Sequence, residues 1–335
     1  VTGNVSINGN SSFKMNNGSG SCTMNVGGDF TLNNGNFTIV TGNANSTLSV
    51  TGNVNILGGN LLMHEDGSAT TATLNVTGNF VHTGGTINET GGGVGSIVFN
   101  KNGTQSYTSG GTVLNTINHT VNSLSVLQMA TAGTAIEGDG SFTLSAGATL
   151  GITSVDGITA TGSGAVGNIQ VTGSRNYSTN ANYIYNGSSD QDVGDGLPGT
   201  VNNLTIDNSG GGGNNAVSLD SDVAISGTLT VSQGEFDLNG NNVTSVGSVV
   251  LTGTTITGGG GITLAGNITT NSSPSTATID VPVALGGADR IFTVANGGAN
   301  PDLTISGNIS GANAIQKSGT GTLSLGGNNT YSGTT

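Results

Sequence analysis

Tryptophan is absent from this 335-residue chain, cysteine occurs once, proline four times, and only 7% of the residues are charged. Each scarcity excludes something. A single cysteine, Cys22, allows no internal disulfide and no cysteine-based zinc knuckle; among Thr and Met it reads as a small buried hydrophobe. Five Lys+Arg stand against 18 Asp+Glu, for a net charge of −13. The basic residues Lys14, Lys101, Arg175, Arg290 and Lys317 are scattered singly. No basic footprint for nucleic acid or an anionic membrane surface can form from sequence neighbours. No apolar run approaches the ~20 residues of a membrane-spanning helix. Helix-formers are too sparse for a bundle or a coiled coil.

What is present is glycine, 61 residues of it, with abundant Asn, Thr and Ser. Such a composition can mean disorder. Against that stand the low proline content and short apolar runs that alternate with period two, such as Val5-Ser6-Ile7, Phe30-Thr31-Leu32, Leu48-Ser49-Val50, Leu204-Thr205-Ile206 and Leu229-Thr230-Val231. Glycine does not fall at every third position, so collagen is excluded.

The runs recur. Val1-Thr2-Gly3-Asn4, Val26-Gly27-Gly28-Asp29, Val50-Thr51-Gly52-Asn53 and Val76-Thr77-Gly78-Asn79 lead off at intervals of 25, 24 and 26 residues. Each tetrad is followed by a strand-like triplet, a Gly/Asn turn and another short run, as in Asn36-Phe37-Thr38-Ile39 and Asn60-Leu61-Leu62-Met63. One such strand cannot bury its apolar face alone, but stacked coils can. The pattern predicts an all-β, right-handed parallel β-helix with coils of about 20–26 residues, roughly thirteen to seventeen of them. Gly and Asn at the corners fit their tolerance of left-handed backbone.

A longer repeat overlies the coils. Phe99-Asn100 precedes Gln105 by the same offsets as Tyr185-Asn186 precedes Gln191, and Thr120–Val126 matches Thr200–Ile206. The sequence thus predicts regular coils over 1–95, a duplicated block over 96–240 and further coils over 241–335. Together they make one continuous segment, expected to be internal to a longer protein. Tandem immunoglobulin-like sandwiches are the competing fold, disfavoured by the short strands and the missing tryptophan.

The stretch from Ala314 to Thr335 carries Lys317, Gly319, Gly321, Thr322, Leu323, Leu325, Asn329, Tyr331 and Gly333 in an arrangement that resembles the passenger-associated β-strand repeat of bacterial autotransporter-type surface proteins. It covers about 22 residues. The rest is similar in block and turn style to large repetitive bacterial adhesins, Bacteroidetes-like ones included. The resemblance implies an exported, extracellular or cell-surface β-helical shaft, structural or adhesive, belonging to a long adhesin or fibre. Exposed strand edges at the ends of the segment predict self-association end to end or into a fibre, and host or environmental glycans are candidate partners. The resemblance supplies no catalytic residue.

Parallel β-helices also carry polysaccharide lyases and glycosidases, which need clustered carboxylates. A polysaccharide-binding or polysaccharide-degrading protein is therefore the alternative. The densest acidic run, Asp190-Gln191-Asp192-Val193-Gly194-Asp195, is a weak calcium candidate through Asp190, Asp192 and Asp195, because its spacing misses the ligand rhythm of a calcium loop and no Glu closes it. No other cofactor is indicated. Asp220/Asp222 and Glu235/Asp237 read as strand pairs on a solvated face. His64-Glu65-Asp66-Gly67 reads as a turn, and His82 and His119 as outward polar positions. Tyr177, Tyr183 and Tyr185 could form a sugar-binding strip or belong to the core. The glycine runs 91–93 and 210–213 lack the Lys-Ser/Thr and helix of a phosphate loop. Asn-x-Ser/Thr sequons, at Asn4, Asn36, Asn75, Asn118, Asn176, Asn267 and Asn308, follow from composition.

Overall fold

The computed structural model describes residues 1–65 and 70–335. Among them every regular element is a β-strand, and the strand pairs run parallel. The strands stack as a β-solenoid of about 13 turns. Parallel pairing is incompatible with an immunoglobulin-like sandwich, whose sheets are antiparallel. The chain forms two compact units, Val1–Ser154 with Thr159–Ser178, and Val155–Ile158 with Thr179–Thr335.

In the first unit the coils have three faces. One carries Val5–Ile7, Phe30–Leu32, Val54–Ile56 and Phe80–His82, the next Ser12–Lys14, Asn36–Val40, Asn60–His64 and Thr86–Asn88, and the third Cys22–Val26, Ser46–Val50, Thr71–Val76 and Val94–Phe99. The register matches the sequence repeat: Val5 pairs with Phe30, Phe30 with Val54 and Val54 with Phe80. On the second face Ser12, Asn36, Asn60 and Thr86 form one column. Period-two alternation sends Leu48, Leu74 and Ile97 inward to stack, while Ser49 and Asn75 face out. Each fully buried Leu, Ile or Phe contributes roughly 1.5–3 kcal/mol relative to an exposed one. Cys22 departs from expectation. It lies in the first strand of its face and is only partly buried, because no coil covers it on that side.

The tetrads earn their residues at a corner. Asn4 Oδ1 accepts the backbone N–H of Asp29 (2.9 Å), Asp29 Oδ1 that of Asn53 (2.7 Å), Asn53 Oδ1 that of Asn79 (2.9 Å), and Asn79 Oδ1 that of Ser106 (2.9 Å). This ladder satisfies N–H groups that no strand pairs. The glycines before Asp29, Asn53 and Asn79 are required by space: a Cβ at Gly28 would lie 2.1 Å from Asn4 Oδ1, one at Gly52 2.4 Å from Asp29 Oδ1, and one at Gly78 2.3 Å from the Gly52 carbonyl oxygen.

In the second unit one face is a 7-stranded sheet running from Gln191–Asp192 through Ala216–Ser218, Glu235–Asp237, Thr255–Thr257, Ala277–Ile279 and Leu303–Ile305 to Leu323–Leu325. Two long strands, Val223–Gln233 and Asn242–Leu251, bend through a corner, with register shifts between Ile225 and Thr228 and between Val243 and Val246. The 25-residue offset of Leu204 and Leu229 is a direct strand pairing. Similar rungs recur, from Asn203 to Thr228 N (2.8 Å), Asn267 to Ile291 N (2.9 Å) and Asp289 to Ala314 N (2.8 Å).

Asn53→Ala removes an acceptor and strands the Asn79 N–H, for a loss of about 1–3 kcal/mol. Asn53→Asp keeps the acceptor, as Asp29 does one coil earlier. Hydrogen exchange at Asn79 is expected to accelerate in Asn53→Ala and to stay near wild type in Asn53→Asp.

Candidate functional site

The acidic run divides between two tasks. Asp190 lies outside the strands and its Oδ1 accepts the Ala216 N–H at 3.0 Å, a rung of the same kind as those above. Asp192, beside Ser218 in register, and Asp195 are exposed. They share their field with Asp220, whose pKa burial pushes up; the Gly194 backbone opposes this and the charges of Asp192 and Asp195 add to it. The structure therefore separates Asp190 from the other two and adds Asp220, one coil later. Among the described residues no group of three or more His, Cys, Asp or Glu is placed to hold a metal ion. Asp220 and Asp222 are not in a strand as expected: they sit at the corner after Ala216–Ser218, and Asp222 Oδ1 accepts both the backbone N–H (2.7 Å) and the Nδ2 (3.2 Å) of Asn242. Glu235 and Asp237 do share the outer face of one strand, flanking buried Phe236.

The histidines overturn the sequence expectation. His82 takes the inward position held by Leu32 and Ile56 in the two preceding coils. Its ring fills the space before Gly111, where an added Cβ would come within 2.0 Å of Nε2. His119 stands inward in the column of Leu74 and Ile97, with Phe142 next, and its ring stacks near that of Phe99 at 6.5 Å. His82 Nε2 and both ring nitrogens of His119 are buried without a well-formed hydrogen bond. Burial lowers the His82 pKa; burial and then the neighbouring His82 lower that of His119 to about 3. His64 closes the strand Asn60–His64 instead of opening a turn. It is buried, with Nε2 2.7 Å from Thr70 Oγ1 and Nδ1 3.9 Å from the buried Glu89 carboxylate. Asp66 and Gly67 of the expected turn lie outside the described residues.

Tyr183 and Tyr185 belong to the core, and Tyr177 packs on Phe142 with ring centroids 5.9 Å apart, so the three present no sugar-binding strip. Tyr185 donates its hydroxyl to the Val193 carbonyl (2.7 Å). The long repeat has a structural basis in two buried glutamines. Gln105 Oε1 accepts the Lys101 N–H (3.0 Å) while Nε2 donates to the Gly78 carbonyl (3.1 Å); Gln191 Oε1 accepts the Gly187 N–H (2.8 Å) and Asn208 Nδ2 (3.2 Å). Each locks the turn four residues before it. Two of the five basic residues are also interior. Arg290 donates to the carbonyls of Leu285, Ala265 and Leu264, each at 2.6 Å, and Arg175 to Thr159, Gly164 and Ser163.

The C-terminal repeat residues have equivalent work. Asp302 accepts the N–H groups of Thr322 and Gly297 (both 2.7 Å), which lower its carboxyl pKa. Asn329 Oδ1 accepts the Ile309 N–H (2.9 Å), and Lys317 Nζ donates to the Gly319 carbonyl (2.8 Å). A Cβ at Gly333 would lie 2.4 Å from Ala314 N.

A buried neutral histidine with a depressed pKa makes stability depend on pH. The unfolded chain binds a proton below pH ~6.5 that the folded interior refuses, so the contribution is complete above ~6.5 and is lost as pH falls towards 3. The urea midpoint of the first unit is expected to drop between pH 7 and 5, above the carboxylate range. His119→Phe and His82→Leu, which copy their column neighbours, should together flatten that drop; an unchanged profile in the double variant refutes the assignment.

No family model, no curated protein and no solved structure matches this chain.

Proposed function

We propose that the chain is a structural and adhesive protein of the bacterial cell surface, an extracellular β-helical shaft without catalytic activity that associates with further copies end to end or in a fibre. The observation that supports this reading is where the polar side chains go. Asp, Asn and Gln residues at the corners accept backbone N–H groups of the coil beside them or of their own turn, and Arg175 and Arg290 hold loop carbonyls from the interior. The outer faces are lined with Ser, Thr and Asn, as at Thr47, Ser49, Thr73 and Asn75. Wettable, nearly uncharged faces over a packed apolar core in each unit suit a durable extracellular scaffold, and few charges remain for salt to screen. The autotransporter-like repeat agrees with this placement.

A second reading, glycan binding, is favoured by a polar groove in the second unit, described below.

Immunogold labelling of producing cells tests the location: label at the surface is expected, and label confined to the cell interior defeats the proposal. Trypsin is expected to leave the native chain uncut at the buried Arg175 and Arg290 in both low and high salt, while the denatured chain is cut at all 5 Lys/Arg sites. Rapid native cleavage at Arg175 contradicts a packed scaffold. Light scattering should show particle size rising with concentration, and a monodisperse monomer throughout removes the association claim.

A further inference from the structure

In the second unit, the corner that follows Asn203–Asp207, Val223–Gln233, Asn242–Leu251 and Ile268–Thr270 opens outward as a groove of about 450 Å³ crossing four successive coils. Its width comes from the small residues at each turn. Gly234 and Gly253 have positive φ (78° and 61°), and a Cβ at Gly253 would meet Ser273 Oγ at 2.1 Å.

The walls offer hydrogen-bonding groups already fixed in place. Thr252 Oγ1 accepts Asn271 Nδ2 at 2.9 Å, and Ser273 Oγ accepts the Ser275 N–H at 3.1 Å. A hydroxyl that accepts in this way keeps its own hydrogen to give. Glu235 takes the Thr257 hydroxyl on Oε1, which leaves Oε2 as an acceptor. Asn215 and the exposed Gln233 bring an amide each, with a donor and an acceptor end. Glu235 is the one charged residue among the lining side chains, and no Lys or Arg lines the groove.

We propose that this groove binds a neutral, linear oligosaccharide laid along the direction of coil stacking, its ring hydroxyls paired with Thr252, Ser273, Glu235 and Gln233. Three features select that class. The lone carboxylate and the missing cations reject phosphates, nucleic acids and acidic glycans. The polar walls give no platform to an apolar ligand. The coils recur at about 4.8 Å, whereas an extended peptide advances ~3.3 Å per residue. One coil step is close to the length of one pyranose ring, so successive sugars meet successive coils, each with its own polar groups. This deepens the glycan-binding reading and does not depend on the shaft reading.

Titration calorimetry with cellohexaose, xylohexaose and mannohexaose as neutral probes, and hexagalacturonate as the acidic one, tests it. Saturable binding of at least one neutral hexasaccharide at millimolar concentration or below is expected. Thr252→Val and Ser273→Ala should each weaken it by about threefold to tenfold, the loss of one hydrogen bond. Gln233→Trp, at an exposed position, should block it. Unchanged trypsin resistance certifies that each variant is folded. Three results overturn the proposal: no neutral probe bound by the native protein, preference for hexagalacturonate, or binding untouched by all three substitutions. None of these bears on surface location or protease resistance, so the shaft reading stands or falls separately.

Discussion

A side-chain oxygen at the corner of one coil, accepting the backbone N–H of the next, is the interaction on which the fold depends. Parallel strands satisfy one another along the faces, but at a corner some N–H groups, those of Asp29, Asn53 and Asn79 among them, bond to a side-chain oxygen of the neighbouring coil. Asn and Asp supply the missing acceptor on a side chain short enough to stay in the turn. The same demand sets two of the glycines, because the rung's oxygen lies where a Cβ would stand at Gly28 and Gly52.

The rungs also account for the composition. Asp29, Asp190, Asp222, Asp289 and Asp302 all accept backbone N–H groups of another coil. No cation is needed to balance them. A chain assembled this way becomes acidic without forming ion-pair networks, and the same column can alternate Asp with Asn, as Asn4, Asp29 and Asn53 do. Several sequon asparagines, Asn4, Asn118, Asn267 and Asn308, are rungs too.

Coil length, strand register and inward columns were legible because they follow from period two and a repeat near 25 residues. Val5, Phe30, Val54 and Phe80 align in space as they do in sequence. The histidines were not, because period two and side-chain polarity point opposite ways at these positions. In Phe80-Val81-His82 an inward Phe80 forces His82 inward, yet a titratable ring belongs in water by default. The room that admits it is Gly111, 29 positions away. Asp220 was hidden for a related reason: its neighbours Asp192 and Asp195 lie a full coil earlier. The groove at Thr252 and Ser273 has no sequence signature, since Ser, Thr and Gly are common everywhere in the chain.

Most rungs share a polarity, although Asn329, which accepts the Ile309 N–H of the coil before it, runs the other way. From Asn4 to Asp29, Asn45 to Thr71, Asn118 to Ser141, Asp222 to Asn242 and Asp302 to Thr322, the earlier coil holds the acceptor and the later coil brings the N–H. A coil that has already settled therefore presents its oxygens to chain that has yet to arrive. The order in which a polypeptide emerges from a ribosome or an export pore is the order in which these rungs close. A coil completed in that order leaves most of its corner acceptors open for the coil that follows.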